Sequence, residues 1–246
     1  MHALLPITVM PHTHTPTIHQ ANTLAMAVYL LSKNKDKEAK LIAEIDRLKG
    51  TQMPGQDELK AYEYVEAVVK EALRLHGPVN STDRHCGETT VIGGKYKIYK
   101  VSGCLRACML ACVLACLHIR SIDRWLHHPL TRRMQGYNVH FAIRAMHYDP
   151  KYFSDPEAFM PERFMPTQHP DLAAKQNVKA FLPFGIGPRM CVASQFAMTE
   201  AKLALITLYS RYSFTLKEGY ELKTKMKATV SPVGGVPVHV HLRKKP

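Results

Sequence analysis

The sequence has little tryptophan, few aromatic residues and a deficit of acidic side chains. One Trp is present, aromatic residues make up 8% of the 246 positions, and 20 Asp and Glu stand against 33 Lys and Arg, giving a formal charge of +13. The basic residues are scattered, without the long Lys/Arg run that would form a nucleic-acid footprint. No repeat of solenoid length is visible. We therefore exclude repeat architectures and expect no nucleic-acid partner.

Cysteine is present, but the spacing of a secreted disulfide scaffold is missing. Of the six cysteines, four lie between Cys104 and Cys116, while Cys86 and Cys191 stand alone. A chain of this length can form a core without cross-links. Residues 1–20 are rich in His, Thr and Pro and lack a charged start followed by an apolar run, so no signal peptide is indicated. We predict reduced thiols in a cytosol-facing chain that carries no membrane anchor of its own.

Hydrophobic residues make up 46% and charged residues 22%, which is typical of globular proteins. Apolar residues at helical spacing predict helices, which we place at about 18–34, 36–48, 59–75 and 192–209. Alternating segments around Gly93-Gly94 predict a β-hairpin, and residues 212–242 read as further strands. The predicted fold class is mainly α with small β sheets.

The segment FGIGPRMCVA, from Phe184 to Ala193, carries the residues best suited to chemistry. It places a cysteine just before a predicted helix, where the helix dipole and free amides favour a thiolate. Gly185 and Gly187 would let the backbone approach a flat ligand closely, and Arg189 could pair with a carboxylate. From the residues alone, a buried free cysteine after a tight turn is an equal alternative.

This segment resembles the haem-binding loop of the cytochrome P450 family, F-x-x-G-x-R-x-C-x-[GA], at each fixed position. The resemblance implies a partial cytochrome P450 fold that binds haem, iron protoporphyrin IX. It implies that Cys191 is the axial ligand of the haem iron and that Arg189 pairs with a haem propionate. Phe184 would pack on the sulfur side of the haem, and Gly185 would let the backbone approach the haem closely. Arg84 stands where many relatives have another propionate partner.

Two further motifs support the resemblance. Glu71 and Arg74 match the family's E-x-x-R, and positions i and i+3 share one face of a helix. Residues 159–164 (FMPERF) resemble its P-E-R-F segment, whose arginine, Arg163, would complete a network with the first two. By the resemblance, this network fixes the fold behind the haem and does no chemistry. Taken alone, the Glu71–Arg74 pair could also be a surface pair.

The start of the chain departs from the family's pattern. Relatives carry A-G-x-[DE]-T-T in their central helix, just upstream of a stretch like the one that begins at Ala21. Here residues 15–20 read TPTIHQ, with no acid and no alcohol at the paired positions. Gln20 could hold a water, but Pro16 would break a helix interior. We therefore expect residues 1–20 to be foreign to the family and disordered.

A second departure covers residues 101–135. The sequence reads smoothly if Lys100 is joined to Gly136, which indicates a translated intron or an equivalent gene-structure error. Four cysteines spaced by four residues would spread over about 18 Å of helix, too far for one tetrahedral zinc ion. A helix from Gly103 to Ile119 would span about 25 Å against a bilayer core of about 30 Å, and it contains Arg106. We favour accidental apolar sequence over zinc binding or membrane insertion.

We therefore interpret residues 21–246 as the C-terminal part of a cytochrome P450 domain, interrupted by 101–135 and lacking the N-terminal half. The resemblance implies a haem-thiolate monooxygenase that inserts one atom of O2 into a small hydrophobic substrate. Electrons would come from an NADPH-dependent reductase or another donor, and full-length relatives are membrane-associated. We expect this chain itself to be truncated and inactive. A haem-thiolate isomerase or dehydratase and a non-catalytic haem-binding fragment remain as alternatives.

Three other side chains receive sequence-based interpretations. Lys202 could meet an acidic reductase, although a solvated helix face is the favoured interpretation. His140 and His147 have no ligand role in the family, so we interpret both as ordinary histidines.

Overall fold

Long helices dominate the part of the chain that the structure, a computed structural model, describes: residues 4–7, 15–48, 54–100, 138–226 and 229–243. The longer helices are α1 (Thr15–Lys33), α2 (Lys35–Leu48), α3 (Glu63–His76) and α6 (Ser194–Arg211). Short helices are α4 (Ile143–His147) and α5 (Pro170–Ala174), with 3-10 turns at Glu58–Ala61, Pro161–Phe164, Val178–Ala180 and Gly187–Arg189. The predicted class, mainly α with small sheets, is confirmed.

The strands form small antiparallel sheets. They are β1 (Leu4–Ile7), β2 (Thr82–His85), β3 (Thr90–Ile92), β4 (Tyr96–Ile98), β5 (Asn138–Phe141), β6 (Tyr212–Leu216), β7 (Thr224–Met226), β8 (Val230–Pro232) and β9 (Val236–Leu242). One sheet has the order β1-β9-β6, and the others are the pairs β2-β5, β3-β4 and β7-β8. In the largest, Phe214 of β6 pairs with Val240 of β9, and Leu216 pairs with Val238. The predicted C-terminal strands are therefore present.

The chain divides into two units, residues 1–80 with 142–246, and residues 81–141. In the second unit, Gly93 and Gly94 have φ of +60° and +67° and turn β3 into β4, as the sequence predicted. The predicted insertion, 101–135, lies outside the described residues, and so do its four cysteines.

Helix α1 begins at Thr15, upstream of the start predicted near Ile18. Pro16 is compatible with this start because the first turn of a helix needs no backbone N–H from it. Upstream of α1, Leu4–Ile7 pair antiparallel with Val236–His239 of β9. The first twenty residues, for which disorder was expected, thus include a described strand and the first turn of a helix. The family boundary at Ala21 stays a prediction.

The core of the larger unit forms where α1, α2, α3 and α6 meet. Residues 25–31 of α1 are all buried, so this helix is covered on every side, as expected for a central helix. Val68 of α3, Leu41 of α2 and Leu205 of α6 are completely buried in the same cluster. Phe214 of β6 closes it at the sheet. Among the described residues, no helix is long and apolar enough to cross a bilayer.

The helix predicted at 59–75 is divided into a 3-10 turn and α3, and Glu44 of α2 explains the break. Its carboxylate accepts the backbone N–H groups of Tyr64 and Val65, both at 2.9 Å. A carboxylate at that point accepts hydrogen bonds from the free amides of a helix start. Its negative charge also interacts favourably with the positive end of the helix dipole. Burial raises the pKa of Glu44, while the two N–H groups lower it. A side chain from α2 thus fixes where α3 begins.

Replacing Glu44 with alanine is expected to lower the free energy of unfolding by about 1–3 kcal/mol, because two buried amides lose their acceptor. Urea titration followed by circular dichroism measures this loss. The exposed Glu221→Ala serves as the control and should stay within about 0.5 kcal/mol of the unsubstituted chain. Equal stabilities for the two variants would contradict the capping role.

Candidate functional site

Glu71 lies buried between two arginine side chains from distant parts of the chain. Arg74, one turn further along α3, donates Nε–H to Oε2 at 2.7 Å and Nη2–H to Oε1 at 2.9 Å. Arg163, in the 3-10 turn Pro161–Phe164, donates Nε–H to Oε1 at 3.0 Å. The backbone N–H of Met160 donates to the same oxygen at 2.9 Å. The structure thus brings together the three residues that the two motifs predicted as a network.

All three of these side chains are completely buried. Burial lowers the pKa of Arg163, and the charge of Glu71 opposes that effect. A buried ion pair is stable only when its remaining donors are satisfied. Here they are, since the spare donors of the two guanidinium groups bond to backbone carbonyls of His147, Ser154, Asp155, Pro156 and Ala158 and to Oε1 of Gln176. The network therefore holds the irregular segment 147–158 against α3.

Glu162 forms a second buried carboxylate network, which the motifs did not indicate. Lys40 and Lys37 of α2 place their Nζ atoms 2.6 and 2.9 Å from Oε1, and the Tyr64 hydroxyl donates to that oxygen at 3.4 Å. Burial by itself would raise the pKa of Glu162, but hydrogen bonds from Lys40 and Lys37 lower it to about 2. The only sequence signal was two lysines at i and i+3 on α2. Their partner lies 122 or more residues away, so helical spacing could not reveal it.

The cysteine loop, which we define as residues 181–191, turns tightly before α6. Gly185 and Gly187 have φ of +75° and +77°, in the left-handed region that glycine enters without steric cost. From the sequence, the role expected for these two glycines was to let the backbone approach a ligand closely. The backbone shows that each is also required for its turn, since a side chain would be strained at this φ.

Backbone hydrogen bonds close the cysteine loop on itself. The Gly185 N–H donates to the Leu182 carbonyl at 3.1 Å, and the Cys191 N–H donates to the Phe184 carbonyl at 2.8 Å. Phe184 is half-buried and its ring packs against the core. Cys191 is therefore held in place by its backbone N–H, and its side chain takes no part in closing the loop.

The thiol side of this loop is exposed, and so are several apolar neighbours. Cys191 is an exposed free cysteine, which excludes the alternative of a buried one. Exposed large apolar side chains lie close to it in sequence: Ile186, Met190, Val192 and Phe196. Val192 is fully exposed, at 101%. Large apolar side chains that are exposed along one short segment are typical of residues that a ligand or partner covers.

The two predicted propionate partners lie in different units. Arg189 is exposed and ends the 3-10 turn that precedes Cys191. Arg84 lies in β2 of the second unit, where Nη1 donates to Thr82 Oγ1 at 3.0 Å and to the Asp83 carbonyl at 2.8 Å.

The interpretations of Lys202 as a group facing a reductase and as part of a solvated helix face are both wrong. The side chain is 7% exposed, and Nζ lies 2.9 Å from Oε2 of Glu66. Helical spacing put Lys202 on α6 but could not show that α3 packs against that face. Its ammonium group joins the two helices and is not available to a docking partner.

Polar side chains of α1 bond to neighbouring segments. The Gln20 side-chain amide donates to the Ala197 carbonyl on α6. The side chain that the sequence analysis considered as a binding group for a water thus links two helices. Asn22 Nδ2 donates to the Val230 carbonyl at 3.0 Å. These bonds position the start of α1 against α6 and the β7-β8 pair.

The two histidines interpreted as ordinary differ strongly in burial and in hydrogen bonding. His140 is exposed, and its Nδ1 lies 2.6 Å from Asp83. His147 is 1% exposed, and both ring nitrogens are bonded. Nδ1 lies 3.2 Å from the Arg74 carbonyl, and the Leu182 N–H donates to Nε2 at 3.0 Å. Burial lowers the pKa of His147 to about 4, and the charge of Arg74 contributes.

Acidification is expected to destabilise the chain through His147. The folded state binds this proton only near pH 4, whereas the unfolded chain binds it near the ordinary value of 6.5. Between these values the unfolded state takes up more protons, so the free energy of unfolding falls as pH falls. The loss from this group between pH 7 and pH 5 is about 2 kcal/mol. Urea titrations at both pH values should show it, and His147→Gln should reduce the pH dependence by that amount. An unchanged dependence in the variant would contradict it.

With this geometry established, the comparisons with known proteins identify the family. The sequence pattern of the family described as Cytochrome P450 matches residues 19–105 and 134–238. The chain therefore belongs to the cytochrome P450 family, which binds haem, iron protoporphyrin IX. The unmatched residues between the two stretches, 106–133, fall within the predicted insertion.

Individual relatives agree with this assignment. The chain is 30% identical over 225 residues to cytochrome P450 97B2, chloroplastic, of Glycine max, covering 83% of this chain and 34% of that protein. It is 27% identical over 214 residues to the bifunctional cytochrome P450/NADPH--P450 reductase of Fusarium oxysporum, covering 86% and 17%. The crystal structure of the cytochrome P450DA heme domain matches with a TM-score of 0.69 at 26% identity, covering 92% of this chain and 41% of that one. The chain thus spans less than half the length of these relatives.

Proposed function

We propose that this chain binds haem through Cys191 and belongs to a protein that oxidises a small hydrophobic substrate. In that reaction one oxygen atom of O2 enters the substrate and the other leaves as water, with two electrons and two protons consumed. The electrons would come from an NADPH-dependent reductase or another donor. The relative from Fusarium oxysporum is a bifunctional cytochrome P450/NADPH--P450 reductase, which supports this class of partner.

The observation that carries the proposal is the exposed thiol of Cys191. It lies at the end of the cysteine loop, which backbone hydrogen bonds close and which turns at two glycines. The residues present fit haem, because a thiolate is a suitable iron ligand and exposed apolar side chains near it suit a flat, largely apolar macrocycle. When bound, haem supplies oxygen activation, and its thiolate ligand donates electron density that favours O–O cleavage.

The other residues would bind or support the cofactor. Arg189 would pair with a propionate, Gly185 would keep the backbone close to the ring, and Phe184 would pack beside the sulfur. Arg84 would hold a second propionate, a role that rests on the sequence resemblance alone. The buried network of Glu71, Arg74 and Arg163 would keep the cysteine loop and its flanking segment in place.

A haem-binding chain without oxygen turnover is the second candidate. It is favoured by the start of α1, where residues 15–20 contain no acidic side chain and the Gln20 amide is bonded to Ala197. A residue that supplies protons in such an oxidation would be an acid or would hold a water through a polar side chain. A haem-thiolate isomerase or dehydratase, which does not activate external oxygen, would fit the same residues.

The test is a reduced, carbon-monoxide difference spectrum of the full chain loaded with haem. We expect a Soret band at the thiolate position. A spectrum typical of a neutral ligand, or no haem uptake, would contradict haem-thiolate binding. If the thiolate band is present, substrate oxidation with an added reductase supports the monooxygenase and contradicts a chain that only binds haem.

A further inference from the structure

The imidazole of His147 joins two parts of the larger unit that the family motifs treat separately. Its Nδ1 faces the Arg74 carbonyl on α3, and its Nε2 accepts the N–H of Leu182 at the start of the cysteine loop. Arg74 in turn donates Nη1–H to the His147 carbonyl at 2.7 Å. Residues 74 and 147 are therefore linked twice, once through each side chain. The second nitrogen of the imidazole extends that link to the loop.

The bonding partners define the state of the ring. A backbone carbonyl can only accept, so Nδ1 must carry the proton, and a backbone N–H can only donate, so Nε2 must offer its lone pair. The neutral Nδ1–H form is the single state that satisfies both. Protonation of Nε2 would place two N–H groups against each other. The imidazole therefore works as a fixed donor–acceptor bridge.

The cysteine loop continues this bridge to the thiol-bearing residue. Leu182, which is bonded to His147 through its N–H, accepts the N–H of Gly185 through its carbonyl. Two residues beyond Leu182, the Phe184 carbonyl accepts the N–H of Cys191. The His147 ring also stacks on Phe181, with centroids 5.6 Å apart and planes at 27°. The imidazole thus holds the start of the loop, and the bond between Phe184 and Cys191 closes its end two residues further along the chain.

We propose that His147 is a positioning residue that anchors the cysteine loop to α3 and so sets the placement of the Cys191 backbone. The proposal deepens the proposed function, on which it rests for the role of Cys191 as iron ligand. The critical contact is the one between Nε2 and Leu182. The contact between Nδ1 and Arg74 orients the ring.

Two substitutions separate these contacts. The amide of glutamine reaches about as far as Nε2, so His147→Gln keeps an acceptor for Leu182 and loses the donor to Arg74. The amide of asparagine overlaps Nδ1, so His147→Asn keeps the donor to Arg74 and leaves Leu182 without its acceptor. His76→Asn is the matched control, since His76 is a partly buried histidine in the last turn of α3, and its pKa is likewise lowered by burial to about 4.

Amide hydrogen exchange of the full chain, read over residues 181–191, tests the proposal without haem. We expect His147→Asn to speed exchange at Leu182 and along the loop by about tenfold, as loss of one hydrogen bond allows. His147→Gln and His76→Asn should stay within about twofold of the unsubstituted chain in that segment. Equal exchange for the Asn and Gln variants, whether both fast or both unchanged, would overturn the proposal.

The second measurement is the carbon-monoxide difference spectrum of the same variants after loading with haem. We expect the thiolate fraction to fall in His147→Asn and to be retained in His147→Gln. If the unsubstituted chain shows no thiolate band, the proposed function fails, while the exchange data still decide whether the loop is anchored. If all variants show the same thiolate fraction, His147 does not position the ligand.

Discussion

Replacing Glu71 with alanine is expected to abolish the cooperative unfolding transition of this chain. The carboxylate is completely buried and is bonded to the guanidinium groups of both Arg74 and Arg163. Its removal leaves two buried positive charges side by side, and breaking even one buried pair costs about 3–5 kcal/mol. That loss is comparable to the whole stability of many domains, about 5–15 kcal/mol. Circular dichroism during a urea titration should therefore show no folded baseline.

Two further variants make this result interpretable. Glu66→Ala removes a half-exposed carboxylate from the same helix, where it pairs with Lys70 and Lys202, and it should lower stability without abolishing the transition. Arg163→Ala should rank between the two, since Glu71 would keep its two bonds to Arg74. A Glu71→Ala chain that unfolds within about 1 kcal/mol of the unsubstituted one would show that the network is not required for folding.

Replacing Cys191 with serine is expected to eliminate the thiolate Soret band of the haem-loaded chain while leaving its fold unchanged. The cysteine loop is closed through the backbone of Cys191, and the side chain itself is exposed. An exposed substitution of this kind changes stability by about 0.5 kcal/mol or less. The free energy of unfolding and the difference spectrum, measured on the same sample, should therefore respond independently.

Cys86→Ser is the control for this substitution. Cys86 is the other cysteine in the described part of the chain, and it is buried in the second unit. The control should keep the thiolate band. A thiolate band that survives in Cys191→Ser would mean that a different cysteine ligates the iron. A band lost in both variants would point to a general failure of haem uptake.

The residues of the candidate site were predictable because each lies in a short, local pattern. E-x-x-R places Glu71 and Arg74 one turn apart on a helix, and the loop pattern fixes the order of glycine, arginine and cysteine within ten residues. The structure brings Arg163 to Glu71 as the second motif predicted. That contact spans 92 positions, so it was expected from the family resemblance and not from local spacing.

The supporting contacts were not predictable in this way. His147 was interpreted as ordinary and Lys202 as exposed, and both are buried with specific partners. The acceptor role of Glu44 and the two lysines around Glu162 were missed entirely. These contacts join residues that are 20 to 136 positions apart, and nothing in a helical or alternating pattern encodes such a pairing.

The sequence by itself determined the mainly helical fold class, the position of the cysteine loop and which residues belong to the motifs. These features depend on periodicity and on residue identity at fixed spacing. Only the tertiary structure decided which polar groups are buried and what they bond to. A buried carboxylate, ammonium or imidazole is tolerated only where partners from other segments satisfy it. Those partners come together by packing of α1, α2, α3 and α6, so the anchoring of the cysteine loop is a property of the assembled core.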